Sequence, residues 1–165
     1  MKTEQKQLKI DVRIAGAGDA PSIASVLHES FLEYRSLYTP EGFSATTLTS
    51  SEIEDRLHLD EGPTWVALCE DLIVGTVSAV VKGESIFIRS MAILPTARGQ
   101  GIGELLLTQI ESFALERGCA RLFLNTTPFL SRAIRLYERF GFCRNGEDPH
   151  DLFGTPLFTM VKTLV

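Results

Sequence analysis

The sequence predicts an α/β fold with a mixed, mostly antiparallel central sheet of about seven strands flanked by about four helices. Three apolar, β-branched runs at residues 64–69, 72–81 and 85–94 are joined by turns of two or three residues, which are too short for any but antiparallel neighbours. After Pro95 the apolar spacing becomes helical and a strand follows, so one parallel pair with a right-handed crossover is expected. A chain of 165 residues with 44% hydrophobic content and no repeat fits a single domain over residues 1–165.

The N-terminal part predicts one strand and two helices. Residues 8–14 alternate apolar and charged side chains, as a half-buried strand does. Asp19 is a candidate N-cap for a helix over residues 20–37, whose apolar positions recur at helical spacing. Ser51 and Glu54 have the spacing of a capping box for a short second helix. Between these helices the chain is expected to break at Thr39, Pro40 and Gly42.

The C-terminal part predicts two further helices and three strands. The first helix runs from Ile102 to Arg117 and is ended by Gly118. The expected order beyond it is a strand at 120–125, a helix at 129–140, and strands at 142–144 and 157–164 with a polar loop between them.

Charge and composition exclude several classes of function. A net charge of −5 argues against broad binding of nucleic acid or anionic membranes. Residues 1–9 are polar and lack a signal-peptide core, and no apolar run is long enough to span a bilayer. Three dispersed cysteines indicate a reducing compartment, and the three histidines lack metal-ligand spacing. We therefore expect a cytoplasmic protein without a metal.

A glycine-rich turn between a strand and a helix is the chemically most informative segment. Its glycines let the backbone bend sharply and approach a ligand closely. The unpaired N–H groups and the positive dipole end of the following helix favour an anion such as a phosphate. Without a ligand, the same cluster would also suit an ordinary helix start. The segment comprises Arg98, Gly99, Gln100, Gly101, Ile102 and Gly103.

Two other kinds of phosphate loop are excluded by the residues that follow the glycines. A P-loop requires Gly-Lys-Ser/Thr, whereas Glu104 and Leu105 follow here. A dinucleotide fingerprint requires a last glycine at position 104 and a repeated βαβ unit, and the strands before this turn read as antiparallel hairpins.

Two motifs together resemble the GNAT superfamily of N-acetyltransferases. The run from Met91 to Gly103 looks like the acetyl-CoA-binding motif Q/R-x-x-G-x-G/A at a strand-to-helix turn, with Arg98, Gly101 and Gly103 matching. Roughly forty residues downstream, residues 133–142 look like the second signature of that family, A-I-x-L-Y-E-x-x-G-F. The resemblance extends from residue 8 to the end of the chain and implies a GNAT-like sheet.

The resemblance implies acetyl-CoA as cosubstrate and a site for it. The pyrophosphate would sit on the amides of the glycine turn, and the pantetheine arm would pair with the backbone of Met91, Ala92 and Ile93 as an added strand. One N–H group there would act as an oxyanion donor. Many members have Asn where this chain has Leu130, and Asn125 is a candidate to take over part of that role.

Tyr137, inside the second motif, is the candidate proton donor to the leaving thiolate. The acceptor amine would attack the thioester directly, without an acyl-enzyme. The alternative for Tyr137 is a tyrosine packed by its ring alone. The leading expectation is acetylation of a small-molecule amine, with a peptide or protein amine, or a non-catalytic acyl-CoA-binding module, as alternatives. A homodimer is an open possibility, because dimers are frequent among similar proteins.

Candidates on the acceptor side are less specific. Arg89 lies in an apolar strand, and either ends at a strand edge in water or faces the pocket and pairs with an acceptor carboxylate. Cys143 is interpreted as a buried small hydrophobe. Candidate bases are Glu29, Glu33, Asp148, His150 and Asp151, each of which is also compatible with a solvated charge. Candidate lining aromatics, or core packing, are Phe31, Tyr34, Tyr38 and Phe43.

Overall fold

The computed structural model describes residues 8–146 and 149–164. Within these residues the chain forms eight strands and five helices, which confirms the predicted fold class and adds one strand and one helix to the expected numbers. The strands are β1 (Ile10–Ile14), β2 (Thr64–Cys69), β3 (Leu72–Lys82), β4 (Ser85–Ile93), β5 (Arg121–Thr126), β6 (Cys143–Arg144), β7 (His150–Leu152) and β8 (Thr155–Thr163). The helices are α1 (Ala20–Phe31), α2 (Pro40–Thr46), α3 (Ser50–His58), α4 (Ile102–Glu116) and α5 (Ser131–Arg139).

The strands lie in the order β1-β2-β3-β4-β5-β8-β6, and β7 pairs with the start of β8. Among these described pairs, β4 and β5 are parallel and the others are antiparallel. Helix α4 is the crossover between β4 and β5, as the spacing of the sequence predicts.

The sheet is covered on both faces. The buried residues Ile23, Val26 and Leu27 of α1 join Ile53 of α3 in one core cluster, which also includes Val66 of β2. The other core cluster contains the apolar stripe of α4 and the side chains of β2 that point the opposite way, with the buried parts of β5 and β8. Because β2 contributes to both clusters, its buried run is apolar on both faces.

The first helical segment ends before Thr39, as expected, but a further helix, α2, begins at Pro40, so Pro40 and Gly42 are not part of the break. Pro40 occupies the first turn, where a helix needs no N–H from it. The Thr39 hydroxyl caps the helix by accepting from the N–H of Gly42 at 3.0 Å. A Cβ at Gly42 would lie 2.4 Å from the Thr155 hydroxyl oxygen, so glycine is needed here for close packing. Residues that commonly end a helix therefore begin one.

Three smaller differences concern element ends. The capping box of α3 is formed by Thr49 and Glu52, two residues earlier than predicted. Strand β7 lies inside the stretch expected to be a polar loop, and Asp148 lies outside the described residues. The first helix becomes a 3₁₀ turn after Phe31, over Leu32–Leu37.

Candidate functional site

A β-bulge in β4, opposite β3, bends β4 away from its other neighbour, β5. Between the pairs that β4 makes at Arg89 and Ala92, two residues, Ser90 and Met91, face a single residue of β3. Ser90 has a φ of 54°, in the left-handed region that non-glycine residues seldom adopt. The parallel pairing with β5 stops just before the bulge, at Ile88. Because a bulge bends its strand, β4 and β5 diverge from this point and leave a wedge-shaped gap.

This gap is the start of a cleft of about 950 Å³, hereafter the cleft. It runs between the ends of β4 and β5 and is lined further by α1, the N-terminal turn of α4, and α5. Nine of the predicted cofactor residues line it: Met91, Ala92, Ile93, Arg98, Gly99, Gly101, Ile102, Gly103 and Asn125. The remaining one, Gln100, is exposed and does not line it.

The glycine turn positions the N-terminus of α4 at one end of the cleft. Gly99 and Gly101 have φ values of 82° and 75°, at which any residue with a side chain would have a strained backbone. Gly103 has a different function, since a Cβ there would lie 2.5 Å from Cδ2 of Leu136. Two glycines thus shape the turn, and the third lets α4 approach α5. The first N–H groups of α4 have no partner within the helix and belong to residues that line this end of the cleft, so they can bind an anion.

Four arginines surround the same end: Arg98, Arg132, Arg135 and Arg139. The Arg98 guanidinium is held by Glu33 at 2.6 Å and by the Ser30 carbonyl at 3.4 Å. Arg98 therefore connects the turn to α1. The exposed side chains of Arg132 and Arg135 add positive charge near the turn amides, as a polyphosphate site needs.

The backbone of β4 beyond the bulge is accessible from the cleft. Leu94 donates its N–H to Val74 on β3, and successive residues of a strand direct their backbone groups to opposite sides. The main chain of Ile93 is therefore directed away from β3, where β5 has already diverged. Its carbonyl accepts the Ser30 hydroxyl at 2.9 Å, and its N–H is directed into the gap, where a ligand could reach it.

Tyr137 lies on α5, is buried, and lines the cleft. Burial raises the pKa of its phenol, and the nearby Tyr38 raises it further. Burial also raises the pKa of Tyr38 to about 12. Two phenols that stay protonated therefore lie close together in the cleft. The sequence suggested a chemical role for Tyr137, and for Tyr38 either lining of the pocket or core packing.

The end of β5 supplies polar groups opposite β4. The Asn125 side-chain carbonyl accepts from the Thr159 hydroxyl at 2.7 Å, so its amide N–H groups are the part that a ligand could engage. The Thr126 hydroxyl is buried and has no hydrogen-bond partner in the described part of the chain. Leu130 also lines the cleft, at the N-terminal end of α5.

The end of the cleft away from the glycine turn is basic. Arg89 is half-buried, lines the cleft and pairs with Glu61 at 2.7 Å, so of the two alternatives it faces the pocket. Arg56 of α3 lines the same end and donates to the Ser90 hydroxyl at 2.7 Å. Sequence analysis missed Arg56 and Ser90, because neither belongs to a motif and the fold alone brings them together.

Only some of the other acceptor-side candidates line the cleft. Phe31, Tyr34 and Tyr38 line it, whereas Phe43 packs edge-on against Tyr38 at 6.1 Å. The carboxylate of Glu33 is bound to Arg98. The remaining candidates do not line the cleft: Glu29 and His150 are exposed, and Asp151 accepts the N–H of Gly154.

Cys143 is exposed on the short edge strand β6, so its interpretation as a buried hydrophobe is wrong. In residues 8–146 and 149–164, no three His, Cys, Asp or Glu side chains converge as metal ligands. No helix within the same ranges combines the length and apolarity that crossing a membrane would require.

Comparison with known proteins supports the two motifs. A sequence model of the Acetyltransferase (GNAT) family matches residues 26–142. An uncharacterized N-acetyltransferase of Escherichia coli, YjgM, is 31% identical over 128 residues, which are 75% of this chain and 76% of YjgM. Streptothricin acetyltransferase from Streptomyces lavendulae is 36% identical over 72 residues, 44% of this chain and 38% of that enzyme.

The fold has close structural neighbours. The crystal structure of PaiA N-acetyltransferase from Thermoplasma acidophilum, in complex with coenzyme A, superposes with a TM-score of 0.75 at 19% identity, covering 94% of this chain and 99% of that one. The TM-score of 0.75 shows that the two proteins share a fold. The matches to the family model and to YjgM are similarities of sequence. The chain therefore belongs to the GNAT family of acetyltransferases and is an acetyl-CoA-dependent N-acetyltransferase.

Proposed function

We propose that the chain transfers the acetyl group of acetyl-CoA to the primary amine of a small molecule, by direct attack in a ternary complex. The observation that carries this proposal is the continuous cleft, which joins the anion-binding turn at Gly99–Gly103 to a buried phenol, Tyr137, and then to a separate basic end. A long cosubstrate can occupy the first part while a second, smaller molecule enters from the other.

The groups along the cleft fit coenzyme A in the order of its parts. The turn amides and the exposed Arg132 and Arg135 suit the phosphates. The N–H of Ile93, beside the carbonyl that accepts from Ser30, and the Thr126 hydroxyl, which lacks a partner among the described residues, suit the amides of the pantetheine arm. Met91, in the bulge, is the expected neighbour of the thioester, and a main-chain N–H there would stabilise the oxyanion.

The bond changes follow from this arrangement. The neutral amine attacks the carbonyl carbon of the thioester, forming a C–N bond, and the C–S bond then breaks with its electron pair on sulfur. Tyr137 donates its proton to the thiolate, and the phenolate regains a proton from the new amide nitrogen through water. The products are the acetamide and free thiol, so no proton is gained or lost overall.

The walls of the acceptor end favour a small molecule. Thr39, just before α2, donates its hydroxyl to the Phe153 carbonyl at 2.8 Å and its N–H to the Thr155 hydroxyl at 2.9 Å. These bonds attach α2 to the β7–β8 hairpin. Because Thr46 of α2 and Leu152 of the hairpin both line the cleft, the attached elements form part of its wall, which favours a small acceptor over a peptide.

The test is release of free thiol from acetyl-CoA by the purified chain, with amino acids, polyamines, aminoglycosides and short peptides as acceptors. We expect acceptor-dependent thiol release from a small amine and an N-acetylated product by mass spectrometry. Turnover of peptides alone would overturn the small acceptor. Calorimetric binding of acetyl-CoA without turnover of any amine would point to a non-catalytic module. A cytoplasmic location, a homodimer and a single domain over 1–165 stay predictions.

A further inference from the structure

Two guanidinium groups lie at the end of the cleft away from the glycine turn. Arg89 is on β4 and Arg56 is in the last turn of α3, and both side chains are half-buried and line the cleft. Arg56 donates to the hydroxyl of Ser90, the residue that forms the bulge. Since β4 runs from this end toward the turn, the pair lies on the acceptor side of the thioester position.

The positive charge at this end is only partly neutralised. Glu61 pairs with Arg89 at 2.7 Å, while Arg56 has no carboxylate within ion-pair distance in the described part of the chain. The Nε of Arg89 is buried and lacks a hydrogen-bond partner among the described residues. Burial and the charge of Arg89 lower the pKa of Arg56 to about 10, so it remains charged at neutral pH. Burying an unpaired cation is unfavourable, so a complementary anion is expected here.

We propose that Arg56 and Arg89 bind a carboxylate of the acceptor, so that the substrates are small amino acids rather than polyamines. This inference rests on the proposed acetyltransferase function. Guanidinium groups present forked donors that match a carboxylate. A second ammonium group, as in a polyamine, would meet like charge instead.

The distance along β4 limits the size of the acceptor. Ser90, whose hydroxyl Arg56 contacts, precedes Met91 directly and Ile93 by three residues. Strands rise about 3.3 Å per residue, so the Ser90 backbone lies within roughly 10 Å of the backbone expected to hold the thioester. An α-amino acid, or one with its amine a few bonds further away, spans that distance. A long peptide is not needed to reach both positions.

The test compares amino acids with their decarboxylated amines, for example leucine with isoamylamine and phenylalanine with phenethylamine. Each pair shares the side chain and nucleophile but differs in the carboxylate. We expect the wild type to favour the acid in kcat/KM by roughly 10- to 100-fold, the range for a charge-assisted hydrogen bond. Arg56→Met and Arg89→Met should reduce this ratio toward one by slowing the acid, and Arg56→Lys should retain part of it.

The control is Arg132→Met, which removes a guanidinium from the other end of the same cleft. It should raise the KM for acetyl-CoA and leave the acid-to-amine ratio unchanged. Turnover of amines with no preference for the acid, or an equal loss for both members of a pair in Arg56→Met, would overturn the carboxylate site and leave the acetyltransferase intact. The second result would mean that Arg56 only holds Ser90. No thiol release with any amine would instead overturn the proposed function.

Discussion

Tyr137 is surrounded so that its phenol stays neutral. It is buried in the cleft beside Tyr38, and both effects raise its pKa above the ordinary value. In the proposed reaction this phenol would donate its proton to the thiolate that forms when the C–S bond breaks. The proposed oxyanion donor is on β4 and the proposed proton donor, Tyr137, is on α5, so substitutions can test the two roles separately.

Tyr137→Phe should lower kcat by roughly 10²-fold, the usual contribution of a positioned proton donor. The dissociation constant of acetyl-CoA should stay unchanged, because the turn that binds the phosphates is elsewhere. Tyr34→Phe is the matched control, since it removes the same hydroxyl from a half-exposed residue of the same cleft, and it should keep kcat. Full kcat in Tyr137→Phe with normal calorimetric binding would remove the assignment.

The pH dependence should show the raised pKa values. As the proposed proton donor, Tyr137 would act in its protonated form, and burial moves its pKa above the ordinary value of about 10. We expect kcat/KM for an amine acceptor without a carboxylate to rise with deprotonation of that amine and not to fall near pH 10. An amino acid is unsuitable for this measurement, because Arg56, which is proposed to bind its carboxylate, has a pKa of about 10 and loses its charge there. An alkaline limb at the ordinary phenol pKa, with the fold intact by circular dichroism, would contradict this.

At the scale of elements, the glycine turn and the C-terminal end of α4 make an internal comparison. Gly101 and Gly118 have φ values of 75° and 73°, but Gly101 lines the cleft and Gly118 lies beyond the other end of the helix. Alanine at each should cost about 1 kcal/mol of folding free energy, because both need a left-handed backbone.

Gly101→Ala should in addition weaken acetyl-CoA binding by roughly 10-fold, because the N–H groups of the distorted turn would no longer point at the phosphates. Gly118→Ala should bind as the wild type does. Denaturant unfolding measures the first effect, and calorimetric titration measures the second. Equal affinities for the two variants would show that the turn does not hold the phosphates.

The elements that the sequence predicted depend on local patterns, whereas the helix that it missed depends on a contact with a distant strand. Strands β2, β3 and β4 were predicted closely, because apolar runs bounded by tight turns need no tertiary information. Helix α2 was missed because Pro40 and Gly42 favour a break unless Thr39 caps them, and this cap is held by the distant β8. The glycine turn and Tyr137 belong to local motifs, whereas Arg56 reaches the cleft only through the packing of α3 on α1.

At the scale of the whole molecule, the central sheet has two parts joined by parallel pairing. β4 and β5 share four paired residues, Ser85–Ile88 with Arg121–Leu124, before they diverge. A ligand that bridges the diverging ends adds contacts between the two parts. Binding should therefore stabilise the fold as a unit.

Acetyl-CoA at a concentration of 100 times its dissociation constant should add about 2.7 kcal/mol to the free energy of unfolding. For a chain of this size, the corresponding rise in Tm is roughly 5–10 °C. Thermal scans with and without ligand measure it, and Gly101→Ala at the same ligand concentration should show a smaller rise. A wild-type Tm that does not change when acetyl-CoA is added would contradict the proposed site.

The bulge at Ser90 has a consequence for how function could be lost in a single genetic step. Arg89 and Ala92 pair with residues of β3 that are two apart, so removing one of the two intervening residues restores regular alternation without turning any neighbour to the wrong face. A chain lacking Ser90 should therefore fold, with β4 and β5 continuing side by side where the coenzyme would have entered. An in-frame loss of one codon would convert an enzyme into a well-folded protein with a continuous sheet and no entrance.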